Sequence, residues 1–145
     1  MTFTSIHALT AGIAGLLKGT GLFKSVVISD GTDGGHLLDE LEGLSVPSAV
    51  VGYGGSDYRD RGTTRTMRAL VVVTDVFRRG GMRRHEGVWS LAEAAEALFT
   101  PELANGAPGH RVLSGVEVRV ASTEALSGAG PLAAVLLVLE AEDYI

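Results

Sequence analysis

The stretch Val46–Arg84, VPSAVVGYGGSDYRDRGTTRTMRALVVVTDVFRRGGMRR, decides the fold because it contains the longest strand pattern in the chain. Pro47–Gly52 predicts a strand, Gly54–Gly62 a polar, Gly-rich loop, and Thr63–Arg79 a long strand. The middle of this long strand is apolar at both alternating sets of positions. We therefore predict a central strand that is covered on both faces and whose polar ends project beyond the sheet.

The segments around this stretch supply two main helices and three further strands. Apolar residues at helical spacing predict a helix from Ile6 to Leu17, with Thr4 or Ser5 as its N-cap, and a second helix over Glu86–Phe99. The other predicted elements are strands over Phe23–Ser29, Val112–Val120 and Leu132–Glu142 and a short helical segment over His36–Leu44. This order predicts one α+β domain, residues 1–145: a mostly antiparallel sheet with two main helices packed on one face.

The composition is that of an ordinary globular protein, with 46 % hydrophobic and 20 % charged residues. The absence of Cys excludes disulfides, thiolate metal sites and Cys nucleophiles, and it suits a reducing compartment. The start of the sequence has no basic segment typical of a signal peptide, and the longest apolar run, Pro131–Leu139, is too short to span a bilayer. We therefore expect a soluble chain that is made in the cytoplasm and has no membrane partner.

The charges are distributed unevenly along the chain. Eight of the ten arginines lie in residues 59–84, where only Asp60 and Asp75 oppose them, so this segment has a net charge of +6. Residues 1–58 sum to −4 and residues 85–145 to −7. Such a separation informs on association and solubility rather than on fold.

The arginines form two groups, one on each side of the apolar centre of the long strand. The first group is Arg59, Arg61, Arg65 and Arg68, and the second is Arg78, Arg79, Arg83 and Arg84. At about 3.3 Å per residue, their centres lie roughly 45–50 Å apart in an extended strand. We favour the hypothesis that these eight residues contact other subunits. The alternatives are a solubilising surface paired with Glu of the same chain, and contact with DNA.

No pattern of catalytic or metal-binding residues is recognisable. Tyr53–Ser56 (YGGS) lacks the Gly-Lys-Ser/Thr ending of a phosphate-binding loop. The four His residues have no zinc-site spacing, and the carboxylates of residues 39–42 have no nucleophile or oxyanion loop near them. We therefore expect a protein that is not an enzyme and that uses no metal or cofactor.

Several phrases of the sequence resemble the small tail proteins of Mu-like contractile phages, a family assigned as tail terminators. Val46–Gly55 (VPSAVVGYGG) is similar to the family's hydrophobic-Pro-Ala-Val-x-Val-x-Tyr-x-Gly segment, and Arg65–Phe77 to its Arg-studded strand. The basic turn Arg78–Arg84 and the segment Gly87–Phe99 (GVWSLAEAAEALF) follow in the family's order. Trp89 replaces the usual Tyr, and Thr100-Pro101-Glu102 stands where the family has a Gly-Gln pair.

The resemblance implies a tail-terminator-like fold and a structural role in the virion. Such proteins form a hexameric ring that terminates the tail tube and sheath and joins the tail to the head connector. DNA would pass through the ring without specific binding, and the chain would be made in the host bacterial cytoplasm. Two alternatives remain: a head-completion or neck adaptor protein of the same particle, and a small α+β ligand-binding domain.

Overall fold

The structure, a computed structural model, describes residues 5–29, 37, 44–76, 86–99, 111–113, 116–126 and 132–144. The elements bounded within these residues are α1 Ile6–Gly19, β1 Ser25–Ile28, β2 Ser48–Arg59, β3 Thr64–Val76, α2 Glu86–Ala97, β4 Arg111–Leu113, β5 Val116–Leu126 and β6 Leu132–Tyr144. A 3₁₀ turn, Asp60–Gly62, joins β2 to β3. These elements confirm the predicted α+β fold.

The six strands form a single sheet in the order β1-β2-β3-β6-β5-β4. β1 pairs with β2 in parallel, and every other neighbouring pair is antiparallel. β3 and β6 are the longest strands and pair from Thr64↔Tyr144 to Val76↔Leu132. The predicted central strand is therefore confirmed, since β3 lies between β2 and β6. The prediction that its polar ends project beyond the sheet is wrong for its start, because the residues from Thr64 to Arg68 pair with both neighbouring strands.

Both helices pack on one face of the sheet, which we call the helix face. α1 contacts β1 and β2, and α2 contacts β3 and β6. Ser5 caps α1 by accepting a hydrogen bond from the Ala8 amide at 3.4 Å, as its position before the apolar repeat predicts. Met67, Val71 and Leu137 are among the fully buried residues of this core. Their side chains alternate with those of the opposite face along each strand.

The opposite face, which we call the outer face, carries a smaller apolar cluster. Val50, Val72 and Leu136 are buried there together with Leu37, which is not part of the sheet. The middle of β3 is therefore buried on both faces, as its apolar sequence predicts. Toward Arg59 the burial of β2 falls steadily until its last three residues are exposed.

The prediction of a loop over Gly54–Gly62 is wrong. β2 continues to Arg59 and pairs with the start of β3, so that beyond the bulge at Gly54 only the turn at residues 60–63 is outside the ladder. A register shift between Tyr53 and Gly55 accommodates the glycines as a β-bulge. Gly55 has a φ of +106°, a conformation that only glycine adopts readily. The glycines therefore mark a bend in a continuous strand.

The single strand predicted over Val112–Val120 is also wrong. Two strands occupy this region, and they form a hairpin in which Leu113 pairs with Val116. The sequence at 114–115 is Ser-Gly, a dipeptide that favours turns, and the regular valine alternation around it concealed this signal. β5 continues to Leu126, well beyond the predicted end at Val120.

Several predicted segments fall outside the described residues. They are most of His36–Leu44, the turns at 30–35, 105–109 and 127–131, and the part of the long strand after Val76.

Candidate interaction surface at the hairpin end of the sheet

The turn between β2 and β3 lies at the same end of the sheet as the end of β6. We call this region, residues 57–68 with 140–144, the hairpin end. Asp57 of β2 pairs with Thr66 of β3, which in turn pairs with Glu142 of β6. One residue further along, Tyr58, Arg65 and Asp143 form the next row across the same strands. Strand alternation therefore sends neighbouring rows of side chains to opposite faces of the sheet.

A buried ion pair lies on the helix face of the hairpin end. Nη2 of Arg65 lies 3.3 Å from Oδ2 of Asp143, and their side chains are only 7 % and 10 % exposed. Next to them along the strands, Met67 and Ala141 are part of the helix-face core. Because both charges are removed from water, each depends on the other for compensation. Arg65 is thus a structural residue of the described fold.

The outer face of the hairpin end carries exposed ion pairs, each between an arginine and a carboxylate. Nη1 of Arg68 donates to Oδ2 of Asp57 at 2.5 Å, and Arg59 donates to Glu142. Further along the sheet, Arg119 of β5 donates to Oε2 of Glu140 at 2.9 Å. These pairs join β2 to β3, β2 to β6, and β5 to β6. Each contributes about 0–1 kcal/mol to stability.

Two pKa shifts reflect these contacts. The hydrogen bond and charge of Asp57 raise the pKa of Arg68, with a smaller contribution from Glu140. Tyr144 donates its hydroxyl to Oε2 of Glu142 at 3.1 Å, and this hydrogen bond raises the pKa of Tyr144 above its usual range. Arg68 therefore stays charged and Tyr144 stays neutral at any physiological pH.

The tip of the hairpin has an unusual backbone. Asp60 and Arg61 have φ values of 54° and 59°, in the left-handed region that residues with a Cβ seldom adopt. Thr64 donates its hydroxyl to Oδ2 of Asp60 at 3.1 Å, and the Thr63 hydroxyl donates to the Asp60 carbonyl. Two residues that follow the turn are therefore bonded to its first residue. The left-handed backbone costs about 1–2 kcal/mol per residue. The surrounding hydrogen bonds maintain this conformation.

The tip is also where large side chains meet solvent. Tyr58 is 57 % exposed and Tyr144 is 63 % exposed, on opposite faces of the sheet. Arg61 is exposed in the turn itself and has no ion-pair partner in the described part of the chain. Tyr and Arg are among the residue types that contribute most at protein interfaces. The hairpin end is therefore a surface of paired strands with exposed residues suited to contact another protein.

The structure brings together the first of the two predicted arginine groups. Arg59, Arg65 and Arg68 each form an ion pair within the chain, whereas Arg61 forms none with the described residues. The second group, Arg78, Arg79, Arg83 and Arg84, lies outside the described residues. The contact of these eight residues with other subunits stays a prediction.

Sequence reasoning missed the carboxylates that balance the first arginine group. They are Asp57, Glu142 and Asp143, which come from the end of β2 and the end of β6. The net charge of a segment cannot show this, because β6 is distant from the arginines in sequence. The sequence 140–144, EAEDY, was the available signal, since its alternate acids predict an acidic end on an otherwise apolar strand. That this end lies beside the start of β3 depends on the strand pairing.

The YGGS segment, the one phosphate-loop candidate of the sequence, is part of a strand. Tyr53–Ser56 lies inside β2, where the Tyr53 hydroxyl bonds to that of Ser56. Among the described residues there is no group of three His, Cys, Asp or Glu side chains that could hold a metal ion. None of the helices within the described ranges has the length and apolar character needed to cross a membrane.

Comparison with known proteins adds a likeness of fold. No family model and no curated protein matches the sequence. A similar solved structure is a chain of the "Virion of native gene transfer agent (GTA) particle", with 14 % sequence identity and a TM-score of 0.50. The match covers 96 % of this chain and 96 % of that one. The two chains share a fold.

Proposed function

We propose that this chain is a structural protein of a phage-like particle, and that it forms a ring at the head-proximal end of the tail. The observation that carries the proposal is the likeness of fold to a chain of a gene transfer agent virion over nearly the full length of both chains. The resemblance of Val46–Gly55 and Gly87–Phe99 to tail-terminator segments supports the same class.

The geometry suits a mechanical role. Residues 48–76 and 132–144 form a three-stranded platform in which β3 is paired on both sides. Ion pairs then join the same strands at the hairpin end. A surface built on paired and ion-paired strands suits a ring subunit, because binding a neighbour is more favourable when little flexibility is lost on contact. In the proposed ring, six copies cap the tube and sheath and present one face to the head connector.

Light scattering after size-exclusion chromatography tests the proposal. The expected species has six times the 15.0 kDa mass of one chain, alone or after mixing with tail tube protein. A chain that binds head connector protein but not tube or sheath protein would favour the neck adaptor. A chain that stays monomeric under all conditions and binds a small molecule would overturn the proposal in favour of a ligand-binding domain.

A further inference from the structure

Two exposed charges of opposite sign lie on different sides of the described structure. Arg61 is at the tip of the β2–β3 hairpin, and Glu93 is on the outward side of α2. Neither has an ion-pair partner within the part of the chain that the structure describes. The other arginines with described side chains, Arg59, Arg65, Arg68 and Arg119, are all paired with carboxylates of the same chain.

The surroundings of Arg61 favour a protein partner. The tip projects beyond the exposed end of β2, with the large side chain of Tyr58 three residues away on the same hairpin. Its backbone is held in a left-handed conformation that most sequences avoid, and such strain is typically kept at functional positions. The guanidinium can bind a carboxylate through two parallel hydrogen bonds and can also stack on an aromatic ring.

The outward side of α2 offers the matching chemistry. The helix, EGVWSLAEAAEA, has three Glu and no Lys or Arg. Val88, Ala92 and Ala95 face the core, which leaves Trp89 and Glu93 exposed on the other side. These two residues are four positions apart and so are neighbours on the helix surface. An arginine that approaches there meets a carboxylate and an aromatic ring together.

We propose that the hairpin tip of one copy binds the outward side of α2 on a second copy, with Arg61 against Glu93 and Trp89. The inference rests on the proposed function, because it specifies how ring subunits contact each other. The two patches are different surfaces of one subunit, so the contact is head-to-tail. Head-to-tail contacts generate rings when the rotation between copies closes.

The contact predicts a specific charge-swap behaviour. Arg61→Glu places two carboxylates together at every contact, and Glu93→Arg places two guanidiniums together. Each variant alone should therefore associate at least about tenfold more weakly than the wild type, because like charges at an interface are unfavourable. Arg61→Glu/Glu93→Arg in one chain restores opposite charges and should recover assembly.

Mixing the two single variants is the decisive experiment. Glu at position 61 of one variant meets Arg at position 93 of the other, and the remaining contact is the wild-type pair. The variants should therefore co-assemble in a 1:1 ratio in sedimentation velocity, although each fails alone. Lys24→Glu and Glu124→Arg make the same charge changes at other exposed positions and should leave assembly unchanged. Circular dichroism melts are the control that checks whether each variant folds.

The outcomes separate this contact from the proposed function. If both single variants form rings as the wild type does, the proposed contact is wrong but the proposed ring is not contradicted. Single variants that fail and do not recover on mixing or in the double variant would also overturn the pairing. A wild type that remains monomeric alone and with tube protein would overturn both.

Discussion

The ion pairs Arg65–Asp143 and Arg59–Glu142 join two adjacent residues of β6 to β3 and to β2, yet they have different surroundings. The first lies on the helix face and is almost fully buried, and the second lies on the outer face, where the Arg59 side chain is 60 % exposed. One step along a strand reverses the face of a side chain. Two arginines of one sequence cluster therefore lie in different places: Arg65 is in the interior and Arg59 is on the surface.

The difference teaches that a charged cluster has to be divided by face before a role is assigned to it. Arg65 stabilises the base of the hairpin from inside. Arg59 and Arg68 form exposed ion pairs on the outer face. Arg61 is left exposed at the tip, with no ion-pair partner among the described residues.

The largest effect is expected at the buried pair. Asp143→Asn removes the charge that compensates buried Arg65, and breaking such a pair costs about 3–5 kcal/mol. Urea unfolding followed by circular dichroism measures the loss. Glu142→Gln, one residue away at an exposed pair, is the control and should cost no more than about 1 kcal/mol. Equal losses in the two variants would mean that the faces do not differ as described.

A smaller effect is expected at the β-bulge between the apolar middle of β2 and its exposed end. Gly55→Ala forces a residue with a Cβ to adopt a φ of +106° and should destabilise the fold by about 1–3 kcal/mol. Gly15→Ala on α1, where nothing beyond the helix's own backbone lies within 4 Å of the added Cβ, should instead stabilise it by about 0.5–1 kcal/mol. Thermal melts of both variants check the opposite signs. A gain in stability for Gly55→Ala would contradict the bulge.

Much of this fold could be predicted from the sequence, and the failures have physical causes. The 3.6-residue and two-residue periodicities located α1, α2 and the middle of β3 because apolar packing dominates there. The end of β2 was misread because its residues are polar and Gly-rich, and its strand character comes from pairing with β3. The ion pairs of the hairpin end could not be predicted from segment charge, because they depend on the register between β3 and β6.

Relief of strain at the tip should separate stability from assembly. Arg61→Gly removes the cost of a left-handed residue and should stabilise the monomer by about 0.5–1 kcal/mol, while the loss of the guanidinium weakens association. Arg59→Gly is the matched control, because φ is −133° there and glycine gives no relief. Chemical denaturation together with sedimentation velocity measures both quantities. If Arg61→Gly lowered stability and left association intact, the tip would have no role in assembly.

The smallest effect concerns the titration of Tyr144. Its hydrogen bond to Glu142 raises its pKa, so this contact favours the folded state below pH about 10 and is lost as pH rises through the pKa of the folded protein. Glu142→Gln should shift the ionisation of Tyr144 to lower pH, as followed by tyrosinate absorbance. Tyr144→Phe identifies the transition by removing it. An unchanged titration in Glu142→Gln would show that the two side chains do not interact in solution.

The most direct test of the central claim, that this chain is a ring-forming structural protein, is electron microscopy of the purified wild type with and without tail tube protein. We predict end-on views of closed rings with one rotational symmetry, which bind to the ends of tubes. Images that contain only single subunits under both conditions would contradict it.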